Sequence, residues 1–296
     1  MLKRIVSLFS WFPKQPHLLL LAPLLLVAPS LSAQAEQVNI SIESPSSASS
    51  SPPSGEAPEE IAPDMPDMIE TTVQLDPLDS PHPVPWNWVL ATQNELTASQ
   101  TSGLRYYRSQ SLVSPNGQYA AYSRIQMQGQ PEMYRSRVTS VMFLENLHTG
   151  DLRTITAASP LADNPLVKNE DADMPGTFAI LIPISWSPSS DRLLARQFEG
   201  MFSTSDASDY AVVWDRQQNQ VMTLSPDGDD YTNAVLLGWS QTDPDRVLFR
   251  AGELGDERWP TWAVDMNGDT TLALEDEPII YGEVINQVWA GPQARW

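Results

Sequence analysis

The chain has 296 residues, 41% of them hydrophobic, with 17 Lys+Arg against 37 Asp+Glu and no cysteine. A net charge of −20 argues against nucleic acid and anionic lipid as partners, because both are bound through a basic surface. Without cysteine there is no disulfide framework, no thiolate nucleophile and no Cys-ligated zinc or iron–sulfur cluster.

Residues 1–35 contain Lys3, Arg4 and Lys14 and no acid; an apolar run follows at 18–27, then Ala33-Gln34-Ala35. A positive start, an apolar core and a small-x-small site describe a secretory signal peptide, with cleavage expected after Ala35. About ten apolar residues cross only half of a ~30 Å hydrocarbon core, and Pro23 interrupts them, so no stable membrane span is expected after cleavage. No cysteine follows the run, which rules out a lipid-anchored lipoprotein. The expected address is export, to the periplasm or the extracellular side of a bacterial envelope. The mature chain then carries 14 bases against 37 acids, a net of −23.

Residues 36–85 hold ten Pro, ten acids, no Lys or Arg, and a Ser-rich patch at 44–54. Such a stretch buries too little apolar surface to offset the entropy of ordering it, and like charges extend it further. It reads as a disordered, solvated linker, with a spacer or an acidic tail for a partner as the functional alternatives. His82 falls inside it.

The rest, residues 86–296, reads as one domain. Residues 88–96 suggest a short helix. After it, runs of four to eight residues rich in Val, Ile, Leu, Tyr and Trp alternate with Gly, Asn, Asp, Ser and Pro clusters, which is an all-β pattern. The order of events repeats. Ser114-Pro115-Asn116-Gly117, Trp186-Ser187-Pro188 and Trp239-Ser240 each join two apolar strands, and Trp289 marks a fourth, truncated copy. Proline presets the turn and the polar residues supply its corner. Each complete copy continues with a second hairpin, near 138–155, 210–224 and 259–272. Four antiparallel strands per repeat predict a small or incomplete β-propeller, with a β-sandwich as the alternative.

The strand–Ser114-Pro115-Asn116-Gly117–strand unit, followed by a hairpin of the type Val212-Val213-Trp214-Asp215, resembles the repeat of TolB-type β-propellers. The same repeat forms the propeller of prolyl oligopeptidase-like hydrolases. The resemblance covers about 180 residues, from Ser111 onward. It implies a protein-binding or substrate-gating platform, usual in exported bacterial proteins, here without an attached hydrolase domain.

Residue chemistry adds little that is catalytic. There is no Gly-x-Ser-x-Gly elbow, and His148 lies in a predicted hairpin corner. Asp265-Met-Asn267-Gly268-Asp269 resembles the start of a calcium loop, but its glycine is fourth rather than sixth, and Asn-Gly is a strong turn signal. No cofactor fingerprint occurs, and no cofactor is expected. The expected function is a non-enzymatic binding or scaffold module that engages envelope proteins. The alternative is a carboxylate-dependent hydrolase of carbohydrate or peptide, which needs two carboxylates about 5 to 10 Å apart in one cleft. The candidate recognition loops are two inserts in the repeat: 157–176 with Asp163, Glu170, Asp171 and Asp173, and 199–208 with Phe202 and Asp206. The turn-proximal tryptophans are expected to pack between repeats. Ring closure is expected to place Leu104–Arg108 beside Val284–Trp289; an open edge would instead pair with a second copy as a homodimer.

Overall fold

The computed structural model describes residues 75–166, 174–228 and 231–285. Among them the regular elements are one α-helix, one turn of 3-10 helix and fifteen strands, so the fold is all-β. Helix α1 (Trp86–Ser99) begins after Pro85 and ends where Gln100 turns left-handed. It buries Val89, Thr92, Gln93 and Leu96. Short strand β1 (Gly103–Arg108) follows.

Three antiparallel meanders of four strands come next. The first is β2 (Ser111–Val113), β3 (Tyr119–Gly129), β4 (Arg137–Asn146) and β5 (Leu152–Ile155). The second is β6 (Thr177–Trp186), β7 (Arg192–Met201), β8 (Ala207–Asp215) and β9 (Gln220–Leu224). The third is β10 (Asn233–Ser240), β11 (Arg246–Gly252), β12 (Thr261–Asp265) and β13 (Thr270–Leu272). Two short strands finish the described chain. Strand β14 (Pro278–Ile279) pairs with β10 and β15 (Glu283–Ile285) pairs with β2. A single parallel pair, Val138 with Phe178, joins the first two meanders into one ten-stranded sheet; the third belongs to a separate five-stranded sheet.

The second meander is covered on both faces. Met142, Leu144, Leu112 and Ile155 of the first meander meet Leu181, Leu193, Val212 and Trp214 on one side. Ile180, Leu194, Phe198 and Val213 meet Leu236, Phe249 and Val264 of the third on the other. This explains why Phe178 to Trp186 reads as a nearly unbroken apolar run: a strand buried on both faces has no polar side to alternate with.

The predicted turns form from their own side chains. Ser114 Oγ accepts the Tyr119 amide and donates to Asn116 Oδ1, while Gly117 takes φ +68°, a value a β-carbon disfavours. Ser187 Oγ accepts the amides of Asp191 and Arg192, and Ser240 Oγ accepts that of Asp243. Pro115 and Pro188 fill the corner positions that follow the first two serines.

Two expectations are corrected here. Residues 75–85 are not solvated linker: Leu78, Ser80 and Val84 are buried, and His82 Nε2 bonds the Leu237 carbonyl at 2.9 Å. Nor is Leu104–Arg108 the partner of the described C-terminal strand, Glu283–Ile285; residues 286–289 of the expected pairing lie outside the described residues. Strand β1 pairs with Arg124–Gly129 of β3, whereas Glu283–Ile285 pairs with Val113–Ser111. The cause lies in the second meander. The Trp186 amide donates to the Tyr281 carbonyl, and Gly282 packs against Trp186, Leu112 and the Val113 carbonyl, which delivers Glu283 to β2. Trp289 lies outside the described residues.

Candidate functional site

The most strongly perturbed charges lie where residues 75–85 cross the body. Arg196 of β7 is fully buried, its Nε donating to Asp209 Oδ1 of β8 at 2.7 Å. Its Nη1 donates to Asp76 Oδ2 at 2.6 Å and to the His82 carbonyl at 2.7 Å. Asp76 also accepts the amides of Leu78, Ser80 and Val84, so one carboxylate folds the segment and pins it to the guanidinium. Burial disfavours the Arg196 charge, but the two carboxylates outweigh that and hold its pKa above the usual guanidinium value. Burial would raise Asp76 too, yet Arg196 and the local amides keep it below the ordinary carboxylate range. For Asp209 burial wins: its pKa is pushed up to about 6 against Arg196 and the Leu236 amide. One cation neutralises one carboxylate, and the more buried of the two bears the deficit.

A pH effect follows. An acid with a raised folded pKa takes up its proton earlier in the native state, so stability grows as pH falls from about 6 toward the ordinary 3.8 and is lost as pH rises through 6. His82 has the opposite sign, since burial lowers its pKa and protonation near 6.5 favours unfolding. The comparison must therefore be with Asp209→Asn, which leaves His82 in place. Melting temperatures of parent and variant between pH 4 and 8 are expected to show the parent gaining relative to the variant as pH falls. A flat difference, or one of opposite slope, refutes the assignment.

A second carboxylate holds a loop down. Glu199 of β7 is buried without a cation among the described residues. It accepts Ser159 Oγ at 2.6 Å, the Leu161 amide at 3.4 Å and Gln197 Nε2 at 3.4 Å. Burial raises its pKa, and those three partners oppose the shift. Two residues on, Asp163 accepts Arg137 Nη2 at 3.1 Å. Replacing Glu199 with Ala is expected to speed amide exchange at Ser159 to Asp163 by about tenfold or more while the amides of β7 stay protected. Unchanged exchange at these positions excludes Glu199 as the tether.

The third feature is the face of the first meander turned away from the second. Directly opposed residues share a face, which places Leu104, Tyr106 and Arg108 of β1 beside Gln128, Gln126 and Arg124 of β3. Tyr122 and Phe143 stack across β3 and β4 with centroids 5.4 Å apart at 14°. The Arg108 guanidinium lies 3.8 Å over Tyr122, and that of Arg124 lies 5.5 Å from the centre of Phe143. Tyr106 is 66% exposed and Leu104 49%. Glu145, at the far end of the same face, is buried, which pushes its carboxyl pKa up despite Arg108.

The predicted site residues do not converge. Asp163 is engaged by Arg137. Glu170, Asp171 and Asp173 lie outside the described residues. Phe202 is buried and packs on Phe178 and Trp86, so it belongs to the core and not to a recognition loop. The reason is that β7 and β8 run almost through the supposed insert and leave only a tight turn, in which Asp206 is exposed. Trp186 packs between Tyr119 and Trp214, at 6.0 and 6.4 Å, joining the first two meanders. Trp239 is likewise fully buried. Asp265 Oδ1 accepts the Asn267 and Asp269 amides of its own turn. Sequence reasoning missed Asp76, Arg196, Asp209 and Glu199; a charge interrupting an apolar strand, as in Leu194-Ala-Arg196-Gln-Phe198-Glu199, was the available signal.

No family model matches the chain, and no curated protein does. Among solved structures a glycoside hydrolase aligns with TM-score 0.31 and 10% identity, over 65% of this chain and 69% of its own. Likeness at that level carries neither fold nor activity to this protein. No helix of the described residues is long and apolar enough to cross a membrane.

Proposed function

We propose that the protein is an exported, non-enzymatic binding module of the bacterial cell envelope, with its meanders arranged as the blades of a TolB-like propeller. The observation that carries the reading is the face of the first meander on which Tyr106 and Leu104 are exposed beside half-buried Arg108 and Arg124, while the other face of that sheet is used for packing. The perturbed carboxylates support the same reading, since Asp76 and Asp209 hold Arg196 and Glu199 holds a loop. Each is committed to the fold.

Three measurements test it. Fractionation with N-terminal sequencing should find a mature chain beginning at Glu36 outside the cytoplasm. A photo-crosslinking residue placed in turn at Tyr106, Leu152 and Leu272, all exposed, should give a discrete adduct with an envelope component from at least one position. Cytoplasmic retention, or no adduct from any position, overturns the proposal. Turnover of chromogenic glycosides or peptides by the mature protein overturns its non-enzymatic part. An experimental structure with the three meanders around a common axis supports the propeller, and two sheets packed face to face refute it.

A further inference from the structure

Arg108 and Arg124 are directly opposed across β1 and β3. Like charges in that relation repel. The chain has 37 acids to place beside them, and six other arginines among the described residues have a carboxylate within 4 Å. Among the described residues this pair has none so close, as is true also of Arg153, Arg216, Arg250 and Arg258, but only here are two such arginines directly opposed across strands. Each guanidinium is instead laid against a ring, Arg108 on Tyr122 and Arg124 toward Phe143, which fixes its plane. Arg108 spends Nη1 on the Ser109 carbonyl and Nη2 on Ser111 Oγ, which further holds its position. Of the acids nearest on this face, buried Glu145 feels the Arg108 charge but makes no ion pair with it within 4 Å, and Asp163 is taken by Arg137. Beside the two arginines, Leu104 and Tyr106 are exposed on the same face, with Gln126 and Gln128 along β3.

We infer that this face is a docking site for an acidic peptide segment, one whose carboxylate bridges Arg108 and Arg124 while an adjoining aromatic or aliphatic residue covers Tyr106 and Leu104. The inference rests on the binding-module reading and supplies its partner class. Charge complementarity selects the occupant. Two opposed guanidiniums suit one carboxylate between them, by charge-assisted hydrogen bonds from both sides. A polyanion such as nucleic acid, or an anionic membrane, would meet the long-range repulsion of a chain with net charge −20. A short segment with a few carboxylates meets far less of it, and Leu104 and Tyr106 ask for the apolar neighbour that a simple anion lacks.

The probe is a fluorescein-labelled peptide, Gly-Asp-Leu-Glu-Phe-Asp-Gly, read by fluorescence polarisation with the full mature chain. A Lys-for-acid version, polygalacturonate and phosphatidylglycerol vesicles serve as comparisons. The acidic peptide is expected to bind, the Lys version not, and affinity to fall as salt is raised from 50 to 500 mM. Arg124→Gln is expected to weaken binding roughly tenfold, as loss of a charge-assisted contact does, and Tyr106→Ser by a similar factor. Both side chains reach solvent, so both variants are expected to melt with the parent. Arg153→Gln, on β5 and away from the pair, should bind as the parent does. The inference is overturned by no binding at 1 mM peptide, by equal binding of the Lys version, by full affinity in either face variant, or by tighter binding of polygalacturonate or vesicles than of peptide. Its failure is separable from failure of the binding-module reading: an adduct from Leu272 or Leu152 with none from Tyr106 would keep that reading and sink this one.

Discussion

A chain begun at Leu75 is expected to melt with the full mature protein, whereas one begun at Trp86 should lose about 3–5 kcal/mol, the usual cost of stripping one partner from a buried ion pair. The eleven residues between those starts carry Asp76, which is bonded to Arg196 through two nitrogens, and the His82 carbonyl, which accepts a third bond. Without them a fully buried guanidinium keeps only Asp209. Asp76→Ala in the otherwise intact chain should reproduce most of the loss. Combined with Arg196→Met, it should cost clearly less than the sum of the two single changes, because the second substitution removes a charge the first has already stranded. Urea denaturation of the four proteins gives the cycle. A start at Trp86 within 1 kcal/mol of the parent would show that residues 75–85 are dispensable.

Trp186→Ala should be as damaging, again about 3–5 kcal/mol. The indole is fully buried and lies edge-on to Trp214 and tilted on Tyr119. Its Nε1 donates to the Leu112 carbonyl at 3.3 Å, and its backbone amide holds the Tyr281 carbonyl at 2.9 Å. It thus ties the start of the second meander to the first and to the C-terminal strand. Removing the side chain leaves a cavity between two meanders that are pinned elsewhere and collapse only partly. Trp186→Phe keeps the ring packing and gives up the Leu112 bond, so it should cost markedly less. Equal losses for Phe and Ala would mean that the hydrogen bond dominates, and a loss below 1 kcal/mol for Ala would remove Trp186 from the centre of that contact.

Local chemistry was readable from the sequence. The all-β class followed from short apolar runs and turn residues, and the first two Ser-Pro turns formed as written because a serine hydroxyl, the amides just after it and a permissive corner residue are neighbours in the chain. The helix near Val89 to Leu96 was visible for the same reason. What depended on distant partners was not. Residues 75–85 have a linker's composition, and only Arg196, 120 residues away from Asp76, makes them part of the fold. Phe202 reads as loop apex until Trp86 and Phe178 are seen against it. The C-terminal strand has an apolar pattern that suits either β1 or β2; the Trp186–Tyr281 bond chooses β2. The opposed arginines were present in the sequence, but their juxtaposition exists only in the register of β1 on β3. Periodicity and turn chemistry act over a few residues, so the sequence by itself determined which segments became strands. Register and burial are set by contacts between segments far apart in the chain, and only the tertiary structure decided which strands met and which charges were enclosed.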